Sequence, residues 1–137
     1  YNDVKADYQS GALQKPLIAA HRTFANVGYE SKSGWKFDYT VNRIGSKRLA
    51  STSKNPENLK RLKKSPAFFL SNAQISKVWN DKFEIYIGGE NIFNYRQEDP
   101  ITSADDTSSP FFDASQVWGP IFGANIYVGF RHKLFNE

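Results

Sequence analysis

The sequence contains no cysteine, no methionine and no long apolar run. Without cysteine the chain can form neither a disulfide nor a thiolate metal site. No stretch approaches the roughly 18 apolar residues of a membrane-spanning helix, and the first residues do not have the pattern of a signal peptide. Because the chain begins at Tyr1 and has no initiator methionine, we expect it to be a fragment or the tail of a longer precursor.

The sequence also lacks a catalytic constellation, so we expect a protein that is not an enzyme and uses no cofactor. Neither G-x-x-x-x-G-K nor G-x-S-x-G occurs. His21 and His132 lie on separate predicted strands without the neighbours that a metal site needs. Asp105, Asp106 and Asp113 do not have the spacing of an EF-hand, and a solvated loop is the simpler interpretation.

Aromatic residues and a small excess of positive charge are what the chain does have. Aromatics make up 15% of the residues, which favours strands over helices. The formal net charge is +4, and the densest basic stretch contains Lys60, Arg61, Lys63 and Lys64. No aromatic residue interleaves these cations, which argues against nucleic acid as a partner. Lipopolysaccharide phosphates, or simple solvation, remain as interpretations of this stretch.

Six segments have the composition of β-strands, and their connections alternate between long and short. The predicted strands are 2–9, 20–30, 35–44, 67–79, 83–92 and 124–134. Only "SKSG" and "NDK" join the second strand to the third and the fourth to the fifth. The pattern predicts an all-β antiparallel meander of about six strands, with a short helix considered only within 56–64. Long strands joined alternately by tight turns and long loops are typical of transmembrane β-barrels.

Apolar and polar residues alternate along the predicted strands, which gives the sheet two different faces. On the fifth strand one face carries Phe83, Ile85 and Ile87, and the other carries Glu84, Tyr86 and Glu90. The last strand repeats this pattern, with Ile126, Val128 and Phe130 opposite Tyr127 and Arg131. A soluble β-sandwich would show the same alternation. The aromatics that flank the tight turns favour a membrane girdle instead; they are Tyr29, Trp35, Trp79 and Phe83.

Two segments, "GGENIFNYRQEDPI" and "FFDASQVWGPIFGANIYVGFRHKLF", resemble the C-terminal end of TonB-dependent outer-membrane receptors, particularly those of Bacteroidota. In the first segment the matching residues are Glu90, Asn91, Ile92, Phe93 and Asn94. In the second they are Gly119, Pro120 and Gly123. Ala124 stands where the family usually has arginine, so an ion pair made by that arginine is missing or replaced. The resemblance covers nearly all of residues 1–137.

The resemblance implies that the chain is the last part of the wall of a 22-stranded barrel in the outer membrane, whose lumen a plug fills. The implied function is import of a nutrient, such as a glycan or a siderophore, driven through TonB. The plug and the N-terminal strands are absent from this sequence. The implied partners are the remainder of the barrel, the plug domain, the TonB system through that plug, and outer-membrane lipid and lipopolysaccharide. A surface lipoprotein that caps the barrel is left open.

Several residues receive expected roles within this interpretation. The loop aromatics Phe111, Phe112 and Trp118 are candidates for stacking on a ligand ring, or for packing on the barrel rim. Four charges are expected to face the lumen and to pair across strands: Glu84, Glu90, Arg131 and Lys133. Phe135 is the candidate assembly signal. The alternative function is a soluble β-sandwich binding module, such as a carbohydrate-binding domain, which detergent dependence would distinguish.

Overall fold

The computed structural model describes residues 1, 3–9 and 11–134, and this part of the chain is all-β with antiparallel sheets. It contains seven strands: β1 (Lys5–Tyr8), β2 (Gly11–Gln14), β3 (Arg22–Glu30), β4 (Trp35–Ile44), β5 (Phe68–Trp79), β6 (Phe83–Glu90) and β7 (Asn125–His132). A single 3-10 turn, Glu57–Leu59, lies within 56–64, where a short helix was considered. Among the described residues no helix has the length and hydropathy needed to cross a bilayer.

Strands β3 to β7 form one sheet in which every strand pairs with its neighbours in sequence, in the order β3-β4-β5-β6-β7. The pairs β5–β6 and β6–β7 are antiparallel. The predicted meander is therefore confirmed for these five strands, with the tight turns at 31–34 and 80–82. The first of these turns is also joined to β5, because the backbone N–H of Val78 donates to the carbonyl oxygen of Gly34 at 2.8 Å.

The prediction that residues 2–9 form the first strand of the same meander is wrong. Strand β1 pairs instead with β2 in a separate two-stranded hairpin, with Tyr8 opposite Gly11. Strand β2 lies within residues 10–19, which the sequence pattern had assigned to a loop. Gly11 has a φ of 101°, which glycine adopts readily and other residues rarely do. The chain therefore reverses at a position without the Asn-Gly or Asp-Gly pair that usually marks a hairpin.

The chain divides into two compact units. The first consists of Tyr1–Arg22, Ile44–Phe68 and Arg96–Phe122, and the second of Thr23–Arg43, Phe69–Tyr95 and Gly123–Glu137. Within the described residues, the buried apolar side chains are Ala19, Leu49 and Phe68, and all three belong to the first unit. The sheet residues of the second unit thus have no fully buried apolar side chain among the described residues. Their apolar groups lie at the surface.

Candidate functional site

The register of β5, β6 and β7 arranges apolar side chains in rows on one face of the sheet. Ile75 pairs with Ile87, which pairs with Val128, and the next row contains Ile85 and Phe130. On β7 the exposed fractions are 76% for Ile126, 73% for Val128 and 72% for Phe130. This face is therefore apolar and uncovered, and we call it the apolar face.

At the end of the apolar face next to the tight turns, aromatic rings surround Lys77. Its Nζ lies 5.3 Å from the centre of the Trp35 ring and 6.0 Å from that of the Trp79 ring. The same ammonium donates to the backbone oxygen of Ser33. The Trp79 and Phe83 rings are 5.9 Å apart. A long cationic side chain that follows an apolar surface toward its polar border keeps its charge near hydrogen-bond acceptors.

The opposite face of the same three strands, the polar face, carries hydrogen-bonded side chains. Arg131 stands directly opposite Glu84, and its Nη1 donates to Glu84 Oε2 at 2.8 Å. The Tyr127 hydroxyl donates to Gln74 Oε1 at 3.1 Å. Glu90 lies opposite Asn125, and Lys133 lies just beyond the end of β7, where its backbone N–H donates to the Lys82 carbonyl. Of the four charges expected to face one side, Glu84 and Arg131 form an ion pair.

The polar face continues onto β3 and β4. The side-chain amide of Asn26 donates to both carboxylate oxygens of Asp38 and to Thr40 Oγ1. Lys36 forms an ion pair of 3.2 Å with Glu30.

An open cavity of about 480 Å³ on the second unit is lined by residues of β3 to β6: Gly28, Tyr29, Glu30, Lys36, Phe37, Asp38, Gln74, Ser76 and Glu84. Carboxylates of three strands, from Glu30, Asp38 and Glu84, and the Lys36 amine line it together, which suits water or a polar ligand.

Two tyrosines cover two glycines across the β6–β7 pair. Gly88 stands opposite Tyr127, and Gly129 stands opposite Tyr86. A Cβ atom added to either glycine would overlap the ring opposite it. The two rings meet edge to face, with centroids 6.3 Å apart. Sequence reasoning missed this arrangement, although a Tyr-x-Gly triplet in each of the two strands was a visible signal.

The Glu-Asn-Ile-Phe-Asn segment forms the turn that ends β6. Asn91 and Asn94 have positive φ angles of 48° and 55°, which asparagine tolerates better than most residues. The Asn91 side chain donates to the Tyr95 carbonyl at 2.8 Å and accepts from the Tyr95 N–H at 3.0 Å. Asn94 Oδ1 accepts from the N–H of Ala124, shortly before β7. Phe93 is 70% exposed. The motif thus closes the end of the β6–β7 pair.

Gln97 organises the segment around Gly119 and Pro120, and sequence reasoning did not single it out. Its Oε1 accepts from the backbone N–H groups of Trp118 at 2.7 Å and Gly119 at 2.9 Å. Its own backbone N–H donates to the Pro120 carbonyl at 2.8 Å. Gln97 is buried, so these bonds satisfy polar groups that water does not reach. Gly123 follows this segment, between Pro120 and β7.

The three loop aromatics have different surroundings. The Trp118 ring lies 5.9 Å from the Phe68 ring, and its carbonyl accepts from Lys47 Nζ. Phe111 is half-buried, and Phe112 is exposed. The structure therefore places Trp118 in a packing contact within the first unit. Phe135, the candidate assembly signal, lies outside the described residues.

The loop aspartates are held by hydrogen bonds within the loop. Asp113 Oδ1 accepts from the N–H and the hydroxyl of Ser115, and Oδ2 accepts from Gln116 Nε2. These donors, Ser115 first, lower the pKa of Asp113, and Ser108 does the same for the pKa of Asp106. No group of three or more acidic, histidine or cysteine residues in the described part of the chain is placed to hold a metal ion.

Comparisons with known proteins found no matching family model, no similar curated protein and no similar solved structure.

Proposed function

We propose that this chain is part of the β-barrel wall of a TonB-dependent transporter that imports a nutrient across the outer membrane. The observation that carries the proposal is the five-stranded meander with an uncovered apolar face and a hydrogen-bonded polar face. In this function the chain binds and passes a substrate rather than transforming it. The apolar face meets lipid, and the polar face meets a water-filled lumen or the plug.

The exposure of the apolar face favours lipid as its environment. Each Å² of apolar surface left in water forgoes about 25 cal/mol of stabilisation. Soluble monomers rarely expose a continuous apolar patch larger than a few hundred Å². Here Ile75, Ile85 and Ile87 on β5 and β6 continue the exposed surface of β7. Acyl chains would remove this whole surface from water without a second protein layer.

The lengths and borders of the strands also fit a bilayer. Strands β3 to β7 have 8 to 12 residues, and a tilted transmembrane strand needs about 9–11. Lys77, between the rings of Trp35 and Trp79, has the arrangement expected at a membrane interface. There the rings meet the headgroup region and the amine reaches polar partners.

The assignment to TonB-dependent receptors rests on the two motif segments. Their geometry gives a physical reason for the motif residues, because Asn91 and Asn94 occupy left-handed positions after β6 and their side chains bond Tyr95 and Ala124. Gly119 lies against Gln97, and a Cβ added there would approach the Gln97 Cβ to 3.4 Å. These residues therefore suit the conformation of the loop that joins the last two strands of the sheet.

A soluble β-sandwich is the second candidate. It predicts that another layer covers the apolar face, whereas Ile126, Val128 and Phe130 are the most exposed residues of that face. The sandwich would then have to form its core with a second molecule. Nothing in the described residues favours it over the barrel wall.

Sedimentation of the 137-residue chain tests the proposal. In plain buffer we expect aggregation, and in a neutral detergent we expect dispersed particles with β-structure. A monodisperse monomer that unfolds cooperatively without detergent would instead support the sandwich.

The gene sequence upstream of this chain tests the TonB assignment separately, since we expect it to encode a plug domain. A gene whose upstream region encodes no plug and no further strands would refute that assignment.

A further inference from the structure

Positive charge is concentrated in residues 47–64 of the first unit, which we call the basic segment. It contains seven cationic residues and one acid, Glu57: Lys47, Arg48, Lys54, Lys60, Arg61, Lys63 and Lys64. Among the described residues only Lys60 of this segment has an acidic partner, Glu57 at 2.5 Å, whereas Lys47, Arg48 and Arg61 donate to uncharged oxygens. The question is what neutralises the others.

Arg48 and Lys64 are held directly opposite one another. They form an antiparallel bridge, flanked by the bonds from Leu49 N–H to the Lys63 carbonyl and from Ser65 N–H to the Lys47 carbonyl. This is the non-hydrogen-bonded type of pair, in which opposing side chains come closest. Like charges at such positions destabilise the pairing. The backbone therefore places two like-charged residues opposite one another, an arrangement that an anion bound between them would favour.

No carboxylate neutralises this pair within the described residues. The ion pairs found there involve other side chains. Arg48 Nη1 donates to the backbone carbonyl of Gln14 at 3.0 Å, and the guanidinium lies 4.9 Å from the centre of the Tyr8 ring. These contacts orient the guanidinium but leave its charge uncompensated. Burial, and to a smaller extent the charge of Arg22, lower the pKa of the neighbouring Lys47.

Apolar groups beside these cations indicate what kind of anion fits. Leu62, two residues before Lys64, is 70% exposed, and Tyr8 is 40% exposed. Lys64 itself is exposed. Cations that lie beside exposed apolar side chains are typical of segments at a lipid headgroup surface. A freely dissolved phosphate would gain nothing from Leu62.

We propose that Arg48 and Lys64 together bind the phosphate of an anionic lipid headgroup, with Leu62 in contact with the adjacent acyl region. The choice of lipid as the source of the phosphate rests on the membrane function proposed above. Arg48 is oriented by Tyr8 and Gln14 to present its free N–H groups, and Lys64 supplies the second charge. Nothing in the motif segments is needed for this site.

The test measures lipid binding by native mass spectrometry on the protein purified in a neutral detergent. The probes are phosphatidylglycerol, phosphatidylcholine and inorganic phosphate. The double variant Arg48→Gln/Lys64→Gln should bind phosphatidylglycerol about fivefold more weakly for each charge removed. The control Lys32→Gln/Lys82→Gln removes the same charge outside the basic segment and should retain binding. The single variant Lys64→Gln leaves the contacts of Arg48 in place and should show an intermediate loss.

Two outcomes would overturn the proposal. Equal binding of phosphatidylglycerol by both double variants would mean that the basic segment is only solvated. Inorganic phosphate that binds as tightly as phosphatidylglycerol, with no loss in Leu62→Ser, would mean that the site takes a soluble anion. Either result would leave the barrel proposal standing, because detergent dependence is measured separately by sedimentation of the unaltered chain. The converse result is also informative. If the unaltered chain is a soluble monomer, the membrane function and the lipid source are refuted. If Arg48→Gln/Lys64→Gln then still reduces phosphate binding, the anion site stands.

Discussion

Tyr86 and Tyr127 each determine which residue can stand opposite them. Their rings lie across the backbone of the neighbouring strand, where a glycine leaves room for them. An aromatic ring over a glycine shields backbone that would otherwise be bare, and it helps to fix the register of the pair. The two reciprocal Tyr–Gly pairs therefore stabilise β6–β7 through shape, in addition to the backbone hydrogen bonds.

We expect Gly129→Ala to destabilise the β6–β7 pair by about 1–3 kcal/mol, because the added methyl group would overlap the Tyr86 ring. The matched control is Gly28→Ala on β3, where the nearest heavy atom to the new Cβ would be Asp38 Oδ2 at 3.8 Å. That change should stay within about 0.5 kcal/mol. Urea unfolding of both variants in detergent measures the difference. Equal destabilisation would show that the Tyr86 ring moves aside freely.

The hydrogen bonds of the Asp113 carboxylate make the stability of the loop between β6 and β7 depend on pH. Its pKa is lowered from the ordinary value of 3.8 by hydrogen bonds from Ser115 and Gln116. The stabilisation is therefore present above that ordinary value and is lost as the pH falls through the lowered pKa of the folded state. A carboxyl-carbon NMR titration should give a midpoint below 3.8, and Ser115→Ala should raise it. A midpoint at or above 3.8 in the unaltered protein would contradict the hydrogen-bond geometry.

At the scale of single strands, the alternation of apolar and polar residues and the composition of the short turns predicted most of the sheet from the sequence. Five strands and both tight turns were predictable because period-2 patterning and short polar connections are local signals. The β1–β2 hairpin was not, since its reversal depends on the left-handed conformation of Gly11 and not on a recognised turn pair. Gln97 was also missed, because its partners lie about twenty residues further along the chain.

The two faces of β7 permit a direct test of their environments. Val128→Arg places a charge on the apolar face and should cost about 2–4 kcal/mol if that residue lies near the bilayer midplane. Asn125→Arg, on the polar face of the same strand and opposite Glu90, should be tolerated. Surface abundance of the full-length protein in cells is the measurement. If both variants assemble equally well, the apolar face does not lie in lipid.

At the scale of the whole molecule, the sheet has two edges, since β3 and β7 each pair on one side only. Unpaired edges of this length invite association with further strands. The function proposed above assigns those strands to the remainder of the barrel. In that case the two edges are sites of assembly, whereas β4, β5 and β6 already have a neighbouring strand on each side.

Hydrogen exchange distinguishes edges that pair with further strands from edges that stay unpaired. In the 137-residue chain held in detergent, we expect successive amides of β5 to be protected between Ala73 and Trp79, where it pairs with β6, whereas β3 and β7 should show alternate protected and unprotected amides. In the full-length protein the outer amides of β3 and β7 should become protected as well. Identical exchange at the β7 edge in both samples would mean that no further strand pairs there.

The bond between Gly34 and Val78 has a consequence for the order in which the sheet forms. The β3–β4 and β5–β6 hairpins close over short distances in sequence, but joining them requires closure of the connection at 45–67. Closing a long connection is slow, although doubling its length costs only about 0.6 kcal/mol. Gly34 brings the turn of the first hairpin against β5, where a side chain at position 34 would overlap the Val78 carbonyl. The two hairpins can therefore form first and meet at their turns, before the connection at 45–67 reaches its final position.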